Sequence, residues 1–579
     1  MSTQKKTSKK PKESSSKASL VVLIILIIGA FCVRVLGQLD KVFAGNNIWF
    51  RGVDSWYHMR LADITAARFP DFLTRDMYAI FPNGHQVGYL PLNSWIIGFF
   101  GQVFDYEIVG ALLPAIVGAL TLIPTYLIGR EVFSRKVGLI ASLLVAMLPG
   151  EFLHRTLLGF TDHHALEAFL MPMTLWLFLR AYRTSKLKWH ILAGLSLGLY
   201  HLAWAGTSLF VIIIGIWTWL EFLRRFKKNE DIYSLFKLIS IPVLIGLITS
   251  YAFLSTQAKL VSLGVLGVSI TLWLLTRYIK DREAILFALT ILVPVGLTIV
   301  GFFHSWNDLL LTFFWKGGTT VQEVVPLSLP IILATYGIAF FMTIGGLWFC
   351  PRNKNTGLFL VWSIILILMS IGQRRWGYYT TIPVALLASY FTYRIASWMN
   401  SQVRVAAVIV ITVFLLMPNI QGTLRMANLP NNINADWYVA LTWLEENSPN
   451  PFPENYYLST EQTKKASYGV LSWWDYGHWI IRIAKRVPTD SPTLTSNKDS
   501  KFFTARTEEE ALKIAQGIQY VIVDRSLLEG KWYAVSHRGN VNVPELENSQ
   551  LYRLWADQSP NWTKVFEKGE VKVFERSNK

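Results

Sequence analysis

Charge is scarce in this chain. Asp, Glu, Lys and Arg make up 16% of its 579 residues and 52% are hydrophobic, whereas an ordinary soluble chain carries about 25% charge. Such a composition excludes a small soluble globule and a disordered hub. Cysteine is almost absent: Cys32 lies inside the first apolar run and Cys350 at the end of a later one, so no disulfide framework exists. Acidic residues are lacking mainly in the first part. Residues 1 to 417 hold 36 Lys+Arg against 19 Asp+Glu, while 418 to 579 hold 19 of each, so the whole net charge of +17 sits before residue 418. A basic chain invites a nucleic-acid reading, but here the excess cations lie between apolar runs, where topology signals sit. Membrane lipid is the expected partner, and nucleic acid is not.

Long hydrophobic runs are what the chain does have. Apolar stretches recur from Leu20 to about Met417, and at about 20 residues per crossing they amount to about thirteen spans. Six Lys and one Glu precede the first run, Leu20 to Val33, and no small-residue cleavage site follows it. It therefore reads as an uncleaved span with its tail, 1–19, in the cytoplasm. Cationic connections fall at Arg130 to Lys136, Arg180 to Lys188, Arg224 to Lys228, Arg277 to Arg282, Arg352 to Lys354 and Arg394 to Arg404. An even number of spans separates each from the N-terminus, which makes them all cytoplasmic. The odd total leaves 418–579 outside, together with Asp40 to Tyr89, Pro149 to His164, His304 to Pro326 and Gln373 to Tyr379.

Those outer segments collect the acidic residues and histidines. Gly52-Val53-Asp54-Ser55-Trp56-Tyr57-His58 lies in the first, Arg155 through Thr161-Asp162-His163-His164 in the second, Thr320-Val321-Gln322-Glu323 in the third, and Arg374-Arg375-Trp376-Gly377-Tyr378-Tyr379 in the fourth. Ionisable groups at a membrane boundary are costly unless solvated or paired. Any one of them alone reads as a solvated loop charge, but four such clusters on one face point to a site. Asp54, Asp162, His164 and Glu323 supply oxygen and imidazole donors suited to Mn²⁺ or Mg²⁺, and the lack of thiolates argues against structural zinc.

The part from 418 onward reads as a mixed α/β domain. Trp437 to Glu446 and Glu508 to Gln516 pattern as helices, Tyr520 to Val523 and Val571 to Phe574 as strands. Within it, Ser472-Trp473-Trp474-Asp475-Tyr476-Gly477-His478-Trp479 places a carboxylate among four aromatics. Aromatic packing at a membrane surface would explain the rings. The carboxylate is better explained as an acceptor for a ligand hydroxyl held against ring faces.

Trp473-Trp474-Asp475-Tyr476-Gly477 resembles the signature pentapeptide of the oligosaccharyltransferase catalytic subunits, and the resemblance covers nearly the whole chain. The segment around Asp54 is similar to the family's first-loop motif, and Asp162-His163-His164 to its second, with a third-position His more like archaeal members than bacterial ones. Thr320 to Glu323 is similar to the Thr-x-x-Glu motif of the fifth external loop, and Arg375 to the Arg after the eleventh span. The resemblance implies a polytopic α-helical membrane protein of GT-C type with a C-terminal external domain. It also implies transfer of a preassembled glycan from a polyprenyl, dolichyl-type phosphate or diphosphate to the Asn amide of Asn-x-Ser/Thr sequons in acceptor polypeptides. By the same carry-over, Asp54 and Glu323 hold the acceptor amide, Asp54, Asp162 and His164 ligate the metal, and Arg155 and Arg375 contact the donor phosphate of the lipid-linked oligosaccharide. Trp473, Trp474 and Asp475 bind the sequon hydroxyl, a buried Asp475 disfavouring acceptors that lack one. A second tail motif matches Asp524, Lys531 and Val535, with Gly530 weakening a continuous helix between them. A single active subunit with few accessory β modules is expected.

Two other readings compete. Another GT-C glycosyltransferase acting on hydroxyls would share the acidic outer loops but does not require the pentapeptide. A secondary transporter would carry its ionisable residues mid-span, whereas these gather at one face. Asn561-Trp562-Thr563 is itself a sequon in the external domain, which makes the chain a candidate acceptor for its own reaction.

Overall fold

The computed structural model describes residues 14 to 279, 281, 283 and 322 to 577, apart from 46, 354, 355, 432 and 539 to 543. The N-terminal lysines up to residue 12, the apolar run after residue 283, and Thr320 and Val321 of the third motif lie outside the described residues. The chain divides into two compact units: Met1–Gly37, Ala115–Leu157 and His164–Asn428 form one, and Gln38–Pro114, Leu158–His163 and Leu429–Lys579 the other.

The first unit is helical. Among the described residues six helices are long and apolar enough to cross a membrane, or seven if the pair Leu329–Tyr336 and Ala339–Phe349, bent by 86°, is one span. Helices such as His164–Thr184 fall outside that group because they carry Glu167, Arg180 and Arg183. Their polar groups are paired instead: Glu131 meets Arg180 at 3.2 Å and Arg183 at 2.9 Å. Local signals set the ends. Asn229 stops helix Ser208–Lys228 in the left-handed region at φ 57°, and the Asp231 carboxylate then accepts the N–H groups of Tyr233 (2.9 Å) and Ser234 (3.1 Å) to start Ile232–Ser250. Helix Leu187–Ala203 packs on Ile232–Ser250 through Gly194 and Gly198, four residues apart and so on one face. A Cβ at Gly194 would lie 2.6 Å from Cβ of Ile245, so only small residues allow this approach. Helix Arg404–Ala427 continues ten residues past the end of the apolar run at Met417.

The second unit joins the first-loop segment to the tail. Its four-stranded sheet has the order Gly469–Leu471, Ile518–Asp524, Val571–Arg576, Trp562–Lys568, the first pair parallel and the others antiparallel. Ile518–Asp524 is buried along nearly its whole length, as its Tyr-Val-Ile-Val run requires of a central strand. The expected helices are observed as Ala435–Asn447 and Glu508–Ile514, capped by Asn434 and Thr507. Strand Gly469–Leu471 escapes sequence reading because three residues give too little alternation. It matters most, since the pentapeptide leaves the sheet at its carboxyl end.

Candidate functional site

Four groups of side chains are built by these elements, and in each a carboxylate is defined by what faces it. The first starts at Gly52, whose φ of +74° turns the chain into helix Asp54–Ala67. Asp54 opens that helix, and His58 lies four residues on, on the same face. The loop carrying Asp162 and His163 adds the rest: His58 Nε2 lies 2.9 Å from Asp162 Oδ1 and 3.1 Å from His163 Nδ1. His163 Nδ1 also contacts Asp162 Oδ1. One donor atom from each of His58, Asp162 and His163 lies within 4.8 Å of the others, a spread that one shared divalent ion spans. Burial pushes the His58 imidazole below its usual pKa although Asp162 opposes the shift. That direction favours the neutral imidazole, the form whose lone pair ligation needs. These residues fit a divalent metal through imidazole and carboxylate donors.

Asp54 faces His478 from the tail, with Oδ1 3.2 Å from Nδ1. Crowding by protein raises its pKa, but the His478 hydrogen bond and charge outweigh this and hold the carboxyl below its usual range. Tyr57 stacks on His478 at 4.8 Å between ring centroids, and Arg482 binds Asp63 at 3.1 Å. The first-loop helix and the tail are thus locked in one unit.

The third group surrounds the pentapeptide, set where the parallel strands Gly469–Leu471 and Ile518–Asp524 end. Carboxyl ends of parallel strands are the usual binding edge of α/β sheets. Trp473 is buried, and Tyr476 donates its hydroxyl hydrogen to Asp524 Oδ2 at 2.9 Å. Asp524 also accepts from Trp437 Nε1 at 2.8 Å and caps helix Arg525–Glu529. That helix breaks at Gly530 and resumes as Trp532–His537, which buries Val535. Lys531, at the break, places Nζ 3.0 Å from Asp475 Oδ2 and 4.4 Å from the Tyr476 ring centre. Asp475 is not buried as expected: its side chain is 34% exposed and already paired. Asp499 and Asp490 lie close together beside the motif. Asp499 Oδ2 accepts the Trp474 N–H at 2.8 Å, and Asp490 Oδ2 accepts the Asp499 N–H at 3.3 Å.

The fourth group lies in the helical unit. Arg155 Nη2 donates to Glu323 Oε2 at 2.6 Å and Arg155 Nε to Glu151 Oε2 at 3.2 Å, while Arg374 Nε donates to Glu151 Oε1 at 2.8 Å. Arg375 instead lies over Trp376, 5.6 Å from the ring centre. His164, the third ligand that the resemblance implies, places Nδ1 3.2 Å from Glu167 Oε1, and Tyr378 donates to Glu167 Oε2 at 2.8 Å.

Sequence reasoning thus names Asp54, Asp162, His164, Arg155, Arg375, Glu323, the pentapeptide and Asp524, Lys531 and Val535, and does not single out His58, His163, His478, Glu151, Glu167 or Arg374. The spacing Asp54-x-x-x-His58 is a legible signal, because residues four apart share a helix face. His478 carries none, since its partner lies 424 positions away.

The oligosaccharyl transferase STT3 N-terminal region, as a family profile, matches residues 23–422, and the AglB core domain matches residues 434–528. The chain belongs to the oligosaccharyl transferase STT3 family. This family member is an oligosaccharyltransferase and a multi-pass membrane protein. It is 27% identical to dolichyl-phosphooligosaccharide-protein glycotransferase 2 of Archaeoglobus fulgidus, over 95% of this chain and 97% of the relative. Solved structures of the oligosaccharyltransferase AglB from the same organism superpose on it. The complex with an inhibitory peptide and a dolichol-phosphate gives a TM-score of 0.80 at 26% identity, over 91% of this chain and 71% of that one. The complex with Zn and sulfate gives 0.78 at 27% identity, over 91% and 70%. ArnT from Cupriavidus metallidurans, bound to undecaprenyl phosphate, shares the GT-C fold alone, with a TM-score of 0.51 at 10% identity over 98% of this chain and 99% of that one.

Proposed function

We propose that this oligosaccharyltransferase moves a preassembled oligosaccharide from a dolichyl-type phosphate or diphosphate to the side-chain amide nitrogen of Asn in Asn-x-Ser/Thr, as a single subunit dependent on Mn²⁺ or Mg²⁺. The observation that carries this reading is the pentapeptide at the strand ends, joined in one unit with Asp54 and the His58–Asp162–His163 donors. The A. fulgidus structures with peptide, dolichol-phosphate and Zn support it by likeness.

The proposed ligands are Asp54, Asp162 and His164, with His58 and His163 as the imidazoles beside Asp162. When bound, the metal would supply positive charge to offset the leaving phosphate. Arg155 and Arg375 hold phosphate oxygens through their guanidinium forks. An amide nitrogen is a weak nucleophile because its lone pair is delocalised into the carbonyl. Asp54 and Glu323 accept hydrogen bonds from the acceptor –NH₂, orienting it and drawing the lone pair out of conjugation. For Glu323 this requires leaving Arg155, and donor phosphate is the group that would replace it there. Trp473, Trp474 and Asp475 take the sequon hydroxyl, with Asp524, Lys531 and Val535 completing that pocket. The pairing of Asp475 with Lys531 makes hydroxyl recognition an exchange of partners, so its selectivity rests less on an unpaired carboxylate than burial alone would give.

The same reading gives about thirteen spans, a cytoplasmic tail 1–19, a membrane domain 20–417 and an external domain 418–579. Labelling of a cysteine introduced at Ser496 by an impermeant reagent in intact cells tests the orientation, and labelling only after lysis reverses it. The function is tested by transfer from a lipid-linked oligosaccharide to a fluorescent Asn-x-Thr peptide. Product is expected with that peptide and absent with Gln in place of Asn, while turnover of hydroxyl acceptors instead would favour another GT-C activity.

A further inference from the structure

Two guanidinium groups held close together repel one another unless a counter-charge lies between them. In the helical unit that counter-charge is Glu151. It opens the short helix Glu151–His154 directly after Gly150, whose φ of +131° aims the chain into it. Its two oxygens divide between two arginines: Oε2 takes Nε of Arg155, four residues along the chain, and Oε1 takes Nε of Arg374, 223 residues away. Both guanidinia are thereby gripped by their Nε edge. The outer edge of Arg155 is engaged differently, its Nη2 meeting Glu323 Oε2. The two carboxylates are not equivalent. The Glu151 side chain is 10% exposed and that of Glu323 41%, so the first is a fixed part of the site and the second an exchangeable oxyanion on the Nη edge. Packing fixes Glu151 further, because a Cβ at Gly377 would fall 3.4 Å from its Cγ. The Arg374 backbone N–H is tied to Val325 O at 2.9 Å.

We propose that Glu151 is a positioning residue of the donor site, its carboxylate fixing Arg155 and Arg374 side by side as a paired guanidinium seat for the donor phosphate. The idea rests on the reading of Arg155 as a phosphate contact and adds Arg374 to it. The charge balance follows: with Glu323 in place two cations face two carboxylates, and when Glu323 leaves for the acceptor the seat holds one net positive charge, which a phosphate oxygen satisfies. Glu151 does not itself touch substrate. It decides how far apart the two forks sit, which an unpaired Arg374 would not maintain.

The test uses the full-length protein in detergent, with dolichyl phosphate as the probe and the donor and acceptor KM measured separately. Glu151→Gln and Arg374→Gln are each expected to weaken dolichyl phosphate binding about tenfold, the equivalent of one lost charge-assisted contact. The acceptor KM stays within about twofold, because the change is confined to the phosphate seat. The double variant should bind no more weakly than the worse single one, and Glu151→Asp should recover part of the loss. Arg155→Gln is the reference. If it leaves dolichyl phosphate binding unchanged, the underlying reading falls and the proposal with it. If it weakens binding while Arg374→Gln does not, the phosphate contact stands and the paired seat is overturned. Additive losses in the double variant would also overturn it, by showing that Arg374 acts without Glu151. Should Glu151→Gln fail to fold, the partly exposed Arg374 decides the matter alone.

Discussion

Asp162 serves two imidazoles, and Glu151 serves two guanidinia. Each is a buried carboxylate between two nitrogen bases, yet they prepare opposite ligands. A histidine can lose its proton, and burial favours the neutral form of His58, so the first group suits a cation. An arginine stays charged in a protein, so the second group remains cationic at its outer edge and suits an oxyanion. The same functional group, a carboxylate, thus suits a cation site beside imidazoles and an oxyanion site beside guanidinia, and the base beside it decides which.

The strongest way to break that contrast is to remove the first carboxylate. Asp162→Ala is expected to lower transfer by on the order of 100-fold or more, the scale of losing a ligand from a catalytic metal site, with melting changed little by comparison. EDTA should do the same to the wild type and Mn²⁺ should restore it, and Asp54→Ala and Glu323→Ala should fall in the same range. Undiminished turnover in EDTA would remove the metal from the account.

A smaller effect is expected on the second side. Arg155→Lys keeps the charge but loses the fork, so the donor KM should rise about tenfold while transfer still responds to Mn²⁺. If the KM for the acceptor peptide rises instead, Arg155 belongs to acceptor binding.

Smaller again is the contribution of Asp475, a carboxylate facing an ammonium group. A hydrogen bond to a charged group contributes roughly 1 to 3 kcal/mol when buried. With a third of the side chain exposed and Lys531 already paired, about 1 kcal/mol remains after screening. Asp475→Ala should therefore shrink the preference for Thr over Ala at the third sequon position by about fivefold. Glu323→Gln should lower turnover with less change in that ratio, and a ratio unchanged by Asp475→Ala would leave the cluster as aromatic packing.

The least effect is on stability, where a carboxylate faces a carboxylate. Burial, and then the charge of Asp490, push the Asp499 carboxyl up to about 7 from 3.8. Its folded pKa exceeds the unfolded one, so its contribution to stability is complete below pH 4 and is lost as pH rises through about 7. The melting temperature of the protein should fall from pH 5 to pH 8, and Asp499→Asn should flatten that slope. An equal slope in the variant would assign the dependence to other groups.

The sequence was most legible where chemistry is local. Helix Ala435–Asn447, strand Ile518–Asp524 and the break at Gly530 follow from period, β-branched content and the cost of glycine in a helix. Asp54 and Asp162 stand out because a carboxylate in an apolar setting is costly. His58 was readable from its spacing to Asp54 but not from its residue type, since a lone histidine on a helix face has many uses. Glu151 was hidden for another reason: an acidic residue four before an arginine looks like an ordinary helix pair, and only Arg374 gives it a second task.

By itself the sequence determined the class of this protein. Apolar runs with cationic connections point to lipid, because a soluble core could not bury them all, and the pentapeptide with its companion motifs points to the family through resemblance. Tertiary structure alone decided the partners. That His58 joins Asp162, that His478 faces Asp54, that Arg374 rather than Arg375 meets Glu151, and that Lys531 already holds Asp475 are all contacts between residues distant in sequence or between alternatives adjacent in it. Local propensity is blind to both, because charge pairing acts over a few ångströms in space and a one-residue step along a helical turn re-aims a side chain by about 100°.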